Sequence, residues 1–211
     1  MKLYGHPLSS YTQKTLMGFH EKGVVPTLEI VDLTSAEGRA AYKSVNPFGK
    51  LPTLVLDDGY VVPESSIILE WLDTHHEGGA RLFPADADGA RRARFHDRIA
   101  DLYLNNPMQT LFFEGRKPEG ERDEKAIARA HDTLDTMYAM SDAWLAKRTW
   151  QLGDTFSVGD VAFAAPLAYL RRLKPFDAHA SLTAYAQRLL ERPAWLEVMR
   201  LTGPYLAKLR G

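Results

Sequence analysis

Hydrophobic and polar positions give this chain two textures. Up to residue 77, short β-type runs alternate with helical periodicity; beyond it, apolar residues recur at helical spacing alone. Residues 2–4 read as a strand stopped by Gly5 and Pro7. A helix follows over 9–21, with Ser10 and Gln13 at capping-box spacing and Gly23 as its stop. Residues 27–31 form a second strand, and 39–43 a short helical stretch closed by Asn46-Pro47. A hairpin then pairs 53–56 with 60–62 across Asp58-Gly59, and Pro63 ends it. Residues 66–74 form a helix with Ile67, Ile68, Trp71 and Leu72 toward the core. The order is β-α-β, a linking helix, then β-β-α.

Gly78-Gly79 and the stretch 84–89 read as a linker. Beyond it, Phe95, Ile99, Leu102 and Tyr103 make a stripe on one long helix. A second long helix carries Ile127, Leu134, Met137, Tyr138, Trp144 and Leu145, with Arg129 and Asp132 on its other face. A third runs over 157–172, and shorter ones follow at 185–190 and 194–201, separated by Pro193. No internal repeat is visible. The division expected is an α/β domain over 1–77, a linker over 78–88 and an all-helical domain over 89–211.

Composition narrows the classes. Of 211 residues 45% are hydrophobic and 25% charged, which excludes disorder and low complexity. Lys and Arg number 26 against 27 Asp and Glu, so no basic surplus points to a nucleic-acid partner. Residues 1–77 hold six basic and ten acidic residues, a balance of −4, and the rest 20 and 17, a balance of +3. There is no cysteine, hence no disulfide, no CxxC pair, no thiolate-bound zinc and no cysteine nucleophile. The seven histidines are scattered, His75 and His76 cannot share a helical face, and no HExxH occurs. No metal is expected. The start, MKLYGHPLSS, lacks the apolar core of a signal peptide, and no run approaches the ~20 apolar residues of a membrane span. A soluble, cytoplasmic chain with no membrane partner is expected.

Four local features carry candidate chemistry. The turn Gly5-His6-Pro7-Leu8-Ser9-Ser10-Tyr11 leads into a helix, whose N-terminal N–H groups and dipole stabilise anions. A serine here is most often a cap alone; the functional alternative is a hydroxyl donating to a bound anion. In Asn46-Pro47-Phe48-Gly49-Lys50-Leu51-Pro52-Thr53, a cis bond before Pro52 would expose the Leu51 backbone, although trans is the default. In Pro63-Glu64-Ser65-Ser66, Glu64 reads either as a charge favoured by the helix dipole or as the partner of a ligand ammonium, with Ser65 on a carboxylate. In Phe156-Ser157-Val158-Gly159-Asp160-Val161, Ser157 and Asp160 form an acidic capping box with Phe156 and Val161 as a hydrophobic staple, a structural feature.

NPFGKLPTL, PESSIILEWL and GDTFSVGDVA, in this order and spacing, resemble the cytosolic glutathione S-transferase superfamily, of the bacterial, serine-type (theta, phi and zeta-like) kind. The resemblance spans essentially the whole chain. It implies a thioredoxin-like N-terminal domain (β-α-β-α-β-β-α) followed by an all-helical domain, with glutathione as co-substrate. Ser9 matches the serine that hydrogen-bonds the glutathione sulfur, with Ser10 and Tyr11 as adjacent candidates. Leu51 would pair its backbone with the cysteinyl part, Pro52 would be the cis proline, and Glu64 and Ser65 would hold the γ-glutamyl group. Lys50 falls where the glycyl carboxylate is met, with Arg39 a second candidate there. Tyr4 lies inside the first strand and is assigned no role. The lack of cysteine excludes the thiol-transfer classes. Tyr103, Met108, Phe112 and Phe113 are candidate contacts for a hydrophobic electrophile, core packing being the alternative. The implied activity is conjugation of the glutathione thiolate to small hydrophobic electrophiles, a detoxifying transferase reaction, in a homodimer. Alternatives on the same scaffold are a glutathione-dependent isomerase or dehalogenase, or a non-catalytic glutathione-binding or interaction module.

Overall fold

Leu3, Leu54 and Val62 stand side by side on three adjacent strands, all buried, and they seed the first of two units in the computed structural model, which describes residues 1–208. That unit comprises Met1–Leu82 and the segment from Pro193 onward; Phe83–Arg192 form the other. Residues 209–211, the end of the expected helical domain, lie outside the described residues.

The first unit runs β1 (Lys2–Gly5), α1 (Ser10–Glu21), β2 (Thr27–Ile30), α2 (Ala36–Lys43), β3 (Thr53–Val55), β4 (Val61–Pro63) and α3 (Ser65–His75). The sheet order is β2-β1-β3-β4, with β1 parallel to β2 and antiparallel to β3, and β3 antiparallel to β4. This is the thioredoxin-like arrangement that the resemblance implies. Pro63 ends β4 as expected, but as its last paired residue, opposite Thr53 on the sheet edge, where a missing N–H is tolerated.

Helices α1 and α3 pack on each other, and Leu16, Met17 and Phe19 on the first and Ile68, Leu69 and Leu72 on the second are buried. Full burial of each such side chain contributes about 1.5–3 kcal/mol. Gly18 permits the close approach, since a Cβ there would lie 2.1 Å from Leu69 Cδ2. Two sequence expectations for α3 need correcting. Ile67 is 52% exposed and Trp71 half-buried, because the apolar face turns on Ile68, Leu69 and Leu72. A buried ion pair joins the two helices, Lys22 Nζ to Asp73 Oδ1 at 3.0 Å, and the Leu82 amide donates to the same oxygen at 2.9 Å. Gly79 lies against the end of α1 with φ +68°, and Ala80 donates to the Glu21 carbonyl at 2.8 Å. The stretch 79–82, expected as linker, is thus fastened to the first unit.

Helix α9 (Pro193–Lys208) also belongs to this unit by its contacts, with Trp195, Val198 and Thr202 buried. It packs on α1, whereas the sequence division groups it with the helical half. Pro193 is its first residue, a position where the absent N–H costs no helical bond.

The second unit is all-helical: α4 (Ala87–Ile99), α5 (Asn106–Glu114), α6 (Glu124–Leu145), α7 (Val158–Leu173) and α8 (Ala180–Leu190). Helix α7 is its axis, buried along most of its length and packed on α4, α5 and α8. The single long helix expected from Phe95 to Tyr103 is interrupted by a π-helical turn, Ala100–Asn105. Phe95, ahead of that turn, and Tyr103, within it, are exposed, while Leu104, Met108 and Leu111 are buried. Trp144 on α6 is likewise partly exposed, with the Arg148 guanidinium 3.9 Å above its ring. Among the described residues, no helix is long and apolar enough to cross a membrane.

Candidate functional site

The turn after β1 is built by its own side chains. His6 Nδ1 accepts from the Leu8 amide at 3.2 Å, and the His6 amide donates to Thr12 Oγ1 at 3.3 Å. Burial holds the His6 pKa below its ordinary value, with Asp32 partly opposing the shift. Gln13, expected to complete a capping box with Ser10, instead donates its Nε2 to the Pro7 carbonyl at 2.8 Å. From α9, Thr202 Oγ1 donates to the same carbonyl at 3.3 Å, and Tyr205 meets the His6 ring edge-on at 5.5 Å. Gly5 admits Thr12, since a Cβ there would fall 2.6 Å from its methyl group.

The N-cap of α1 is therefore Ser9 and not Ser10. Ser9 is extended (φ −75°, ψ 120°), and its Oγ accepts from the Thr12 amide at 3.3 Å. A hydroxyl has one donor proton and two acceptor lone pairs. The cap uses a lone pair, and among the described residues no group accepts the Ser9 proton. Ser10 is buried as the first helical residue, and Tyr11 is half-buried beside it.

The Leu51–Pro52 bond is cis. Among the described residues none hydrogen-bonds the Leu51 amide or carbonyl. The loop is held by three side chains whose part in it sequence reasoning did not find. Tyr42 Oη donates to the Lys50 carbonyl at 2.7 Å and lies 2.8 Å from Thr53 Oγ1. Asn46 Nδ2 donates to the same two oxygens, both at 3.0 Å, and Asn46 Oδ1 accepts from the Phe48 amide at 3.1 Å. Gly49 takes φ +62°, the left-handed region that closes this turn. Only Asn46-Pro47 gave a signal, as a turn. Lys50 is exposed at the loop's edge. Arg39 is engaged elsewhere, with Nη1 donating to the Leu33 and Thr34 carbonyls at 2.9 and 2.7 Å.

Glu64 is the N-cap of α3 with φ +71°. A non-glycine residue in this region costs on the order of 1–3 kcal/mol and persists where the surroundings demand it. Its carbonyl accepts from Ile68 at 2.9 Å, but its carboxylate caps nothing and is exposed. Ser65, the first residue of α3, is buried, and Ser66 is half-buried. An exposed carboxylate thus adjoins a helix N-terminus lined with hydroxyls, a pairing suited to a ligand that carries both an ammonium and a carboxylate.

In the helical unit, the electrophile candidates separate. Met108 is 2% exposed and is a core side chain. Tyr103 and Phe113 are exposed. Phe112 is half-buried, under the Arg116 guanidinium at 3.4 Å and edge-on to Tyr169 at 5.7 Å.

Ser157 and Asp160 do form the capping box of α7. Ser157 Oγ accepts from Gly159 at 3.2 Å, and Asp160 Oδ2 accepts from the Ser157 amide at 2.9 Å. Asp160 Oδ1 additionally accepts from the Gln151 amide and from Tyr185 Oη, both at 2.9 Å. Burial pushes the Asp160 carboxyl up to about 6 against these hydrogen bonds.

Models of the N-terminal and C-terminal domains of glutathione S-transferase match residues 8–75 and 100–193. Glutathione S-transferase GstB of Escherichia coli is 31% identical over 165 residues, 77% of this chain and 79% of its own. Glutathione S-transferase hmp2 of Hypomyces subiculosus is 27% identical over 207 residues, 93% of this chain and 96% of its own. Among solved structures, a glutathione S-transferase of Methylobacillus flagellatus with GSH bound superposes with a TM-score of 0.85 at 27% identity, covering 93% of this chain and 98% of that one. One from Methylobacterium radiotolerans, in complex with glutathione sulfonate, gives 0.79 at 29%, covering 93% of each. The thioredoxin-like unit, its serine-capped helix and the helical unit define the class, a two-part protein with a thioredoxin-like first unit and an all-helical second. The chain belongs to the glutathione S-transferase family.

Proposed function

We propose that the chain is a glutathione transferase that activates the glutathione thiol at Ser9 and conjugates it to small hydrophobic electrophiles. The observation that carries this reading is the Ser9 hydroxyl, which caps α1 with a lone pair and keeps its proton for a ligand. A free thiol titrates near pH ~8.5, so little is ionised at neutrality. Lowering that by about 2 units takes about 2.7 kcal/mol of differential stabilisation. A charge-assisted hydrogen bond of about 1.5–3 kcal/mol and a helix dipole of about 0.3–1 kcal/mol reach it together. Ser9 acts as a donor and need not ionise. Ser10 and Tyr11 are the secondary candidates for the sulfur contact.

The rest of glutathione is assigned by charge. Glu64 takes the γ-glutamyl ammonium, while Ser65 and the first N–H groups of α3 take its carboxylate. The Leu51 amide and carbonyl pair with the cysteinyl backbone beside Pro52, and Lys50 meets the glycyl carboxylate. Arg39, already bonded to two carbonyls, is the weaker candidate at that end. Tyr103, Phe112 and Phe113 are the groups offered to the electrophile. With an aryl halide, the thiolate forms the S–C bond, halide leaves with the C–halogen pair, and the thiol proton passes to solvent.

Residues 1–77 are assigned to glutathione and 89–211 to the helical part, with 78–88 as the linker, although 79–82 and α9 pack with the first unit. A homodimer is favoured by exposed apolar side chains on the first unit, Phe48 at 80% and Tyr60 and Ile67 above half. A cytoplasmic, detoxifying role fits a cysteine-free chain that consumes a cytosolic thiol. Turnover of a halonitrobenzene with reduced glutathione tests the activity, and a wider panel of hydrophobic electrophiles extends it. Glutathione-dependent conjugation of at least one is expected; no conjugation across the panel contradicts the proposal.

A further inference from the structure

We propose that Thr202, on the last helix α9, is a positioning residue for activation of the glutathione thiol, acting through the turn that carries Ser9. The proposal rests on the assignment of the Ser9 hydroxyl to the glutathione sulfur. Thr202, Pro7 and Ser9 all belong to the first unit. Thr202 is 0% exposed, and its Oγ1 donates to the Pro7 carbonyl at 3.3 Å, across 195 residues of chain. A helical threonine commonly satisfies its hydroxyl on the carbonyl four residues back in its own helix. A valine would fill the same space with no hydroxyl to satisfy. This side chain instead gives its proton to the turn that precedes α1.

The Pro7 carbonyl matters through the peptide unit it belongs to. That unit, Pro7–Leu8, is held at both ends. Its oxygen accepts from Gln13 Nε2 at 2.8 Å and from Thr202 Oγ1, two donors on two different helices. Its N–H, on Leu8, donates to His6 Nδ1 at 3.2 Å. Tyr205, one turn further along α9, meets the His6 ring edge-on at 5.5 Å. Ser9 follows directly, with its amide donating to the His6 carbonyl at 2.8 Å and its Oγ capping α1. A carbonyl oxygen has two lone pairs, and a donor on each fixes the tilt of the peptide plane where one alone lets it pivot. Gln13 sits on α1 and moves with it, whereas Thr202 ties the turn to a separate helix. A tilt of this plane passes to Ser9 through the Leu8 backbone. A hydrogen bond weakens as its donor leaves the line to the acceptor. Thr202 thus holds the Ser9 hydroxyl in the direction that stabilises the sulfur anion.

Thiolate absorbance of the glutathione complex against pH tests this in the full chain. Wild type, Thr202→Val, Thr202→Ser, Ser9→Ala and the Ser9→Ala/Thr202→Val double variant are compared. Thr202→Val should raise the sulfur pKa by about half a unit, which leaves about threefold less thiolate on the acid side. At about pH 6, kcat/KM should fall about threefold, while calorimetry should give a Kd for glutathione within about twofold of wild type. Thr202→Ser keeps the hydroxyl and should behave as wild type. In the Ser9→Ala background, Thr202→Val should produce no further rise, because the donor it positions is gone. A threonine of purely structural value would lower stability or binding without moving the sulfur pKa. An unchanged sulfur pKa in Thr202→Val, an equal rise in both backgrounds, or a rise in Thr202→Ser as large as in Thr202→Val overturns the proposal. Should Thr202→Val not fold, Thr202→Ala replaces it with the same expected and contrary results. A wild type that binds no glutathione, or a Ser9→Ala variant with an unmoved sulfur pKa, would instead overturn the underlying Ser9 reading, and this proposal with it.

Discussion

Ser9 and Glu64 show how single residues were readable. A serine before an apolar helix and an acid at a helix entrance obey local rules, so their places followed from neighbours within four positions. The one-residue shift of the cap, from Ser10 to Ser9, arose because Gln13 turns back to Pro7 instead of to the cap. Tyr42, Asn46 and Thr53 were not readable. Their shared hydrogen bonds span seven to eleven residues and exist only once β3 has paired. The left-handed backbone of Glu64 was equally invisible, since nothing in PESS requires it. At this scale, Glu64→Ala should weaken glutathione at least about tenfold, about 1.4 kcal/mol, as expected for loss of a charge-assisted contact. Titration calorimetry measures it, and unchanged affinity removes Glu64 from the γ-glutamyl site.

At the level of elements, α7 shows what a cap is worth. Ser157→Ala should cost about 0.5–2 kcal/mol as a lost N-cap. Asp160→Ala should cost more, because the Ser157 and Gln151 amides and Tyr185 Oη would all lose a buried acceptor. Denaturant unfolding ranks the two, and a larger cost for Ser157 would contradict this network. Helix α4 contributes a pH dependence. His96 is buried against Gly159, and burial, aided by Arg148, lowers its pKa to about 4. Between pH about 4 and 6.5 the unfolded chain binds a proton that the folded one does not, so this histidine's contribution is lost as pH falls through that window. Asp160 acts with the opposite sign. Its raised carboxyl, about 6, makes the folded state the better proton binder above its ordinary 3.8, so stability is gained as pH falls. His96→Gln should therefore lose less stability, or gain some, between pH 7 and pH 4.5 relative to wild type. Urea midpoints at the two pH values decide it; parallel pH profiles would show that His96 does not titrate as described. The helices themselves were legible from apolar spacing. The π-helical turn at 100–105 was not, because one wider turn leaves the composition of the stripe unchanged.

For the whole molecule, the two textures of the chain correspond to two units, but the last helix does not follow the sequence order. The stretch 194–201 reads as one more short helix, and no local rule says that it packs on α1. Burial of specific partners decides that, and a single sequence does not encode the pairing in its periodicity. Exposed Phe48, Tyr60 and Ile67 lead to the prediction made at this scale. Light scattering in moderate salt should give about twice 23.7 kDa. A mass near 24 kDa at micromolar concentration would show that these side chains do not form a subunit interface.

The central claim is that Ser9 donates to the glutathione sulfur and so keeps it ionised at neutral pH. Thiolate absorbance of the glutathione complex, followed against pH in wild type and in Ser9→Ala, tests it most directly. The account predicts a sulfur pKa about 2 units below the free thiol in wild type, moving back toward ~8.5 in the variant. An unchanged pKa in Ser9→Ala, or a rise seen only with Ser10→Ala or Tyr11→Phe, would contradict it.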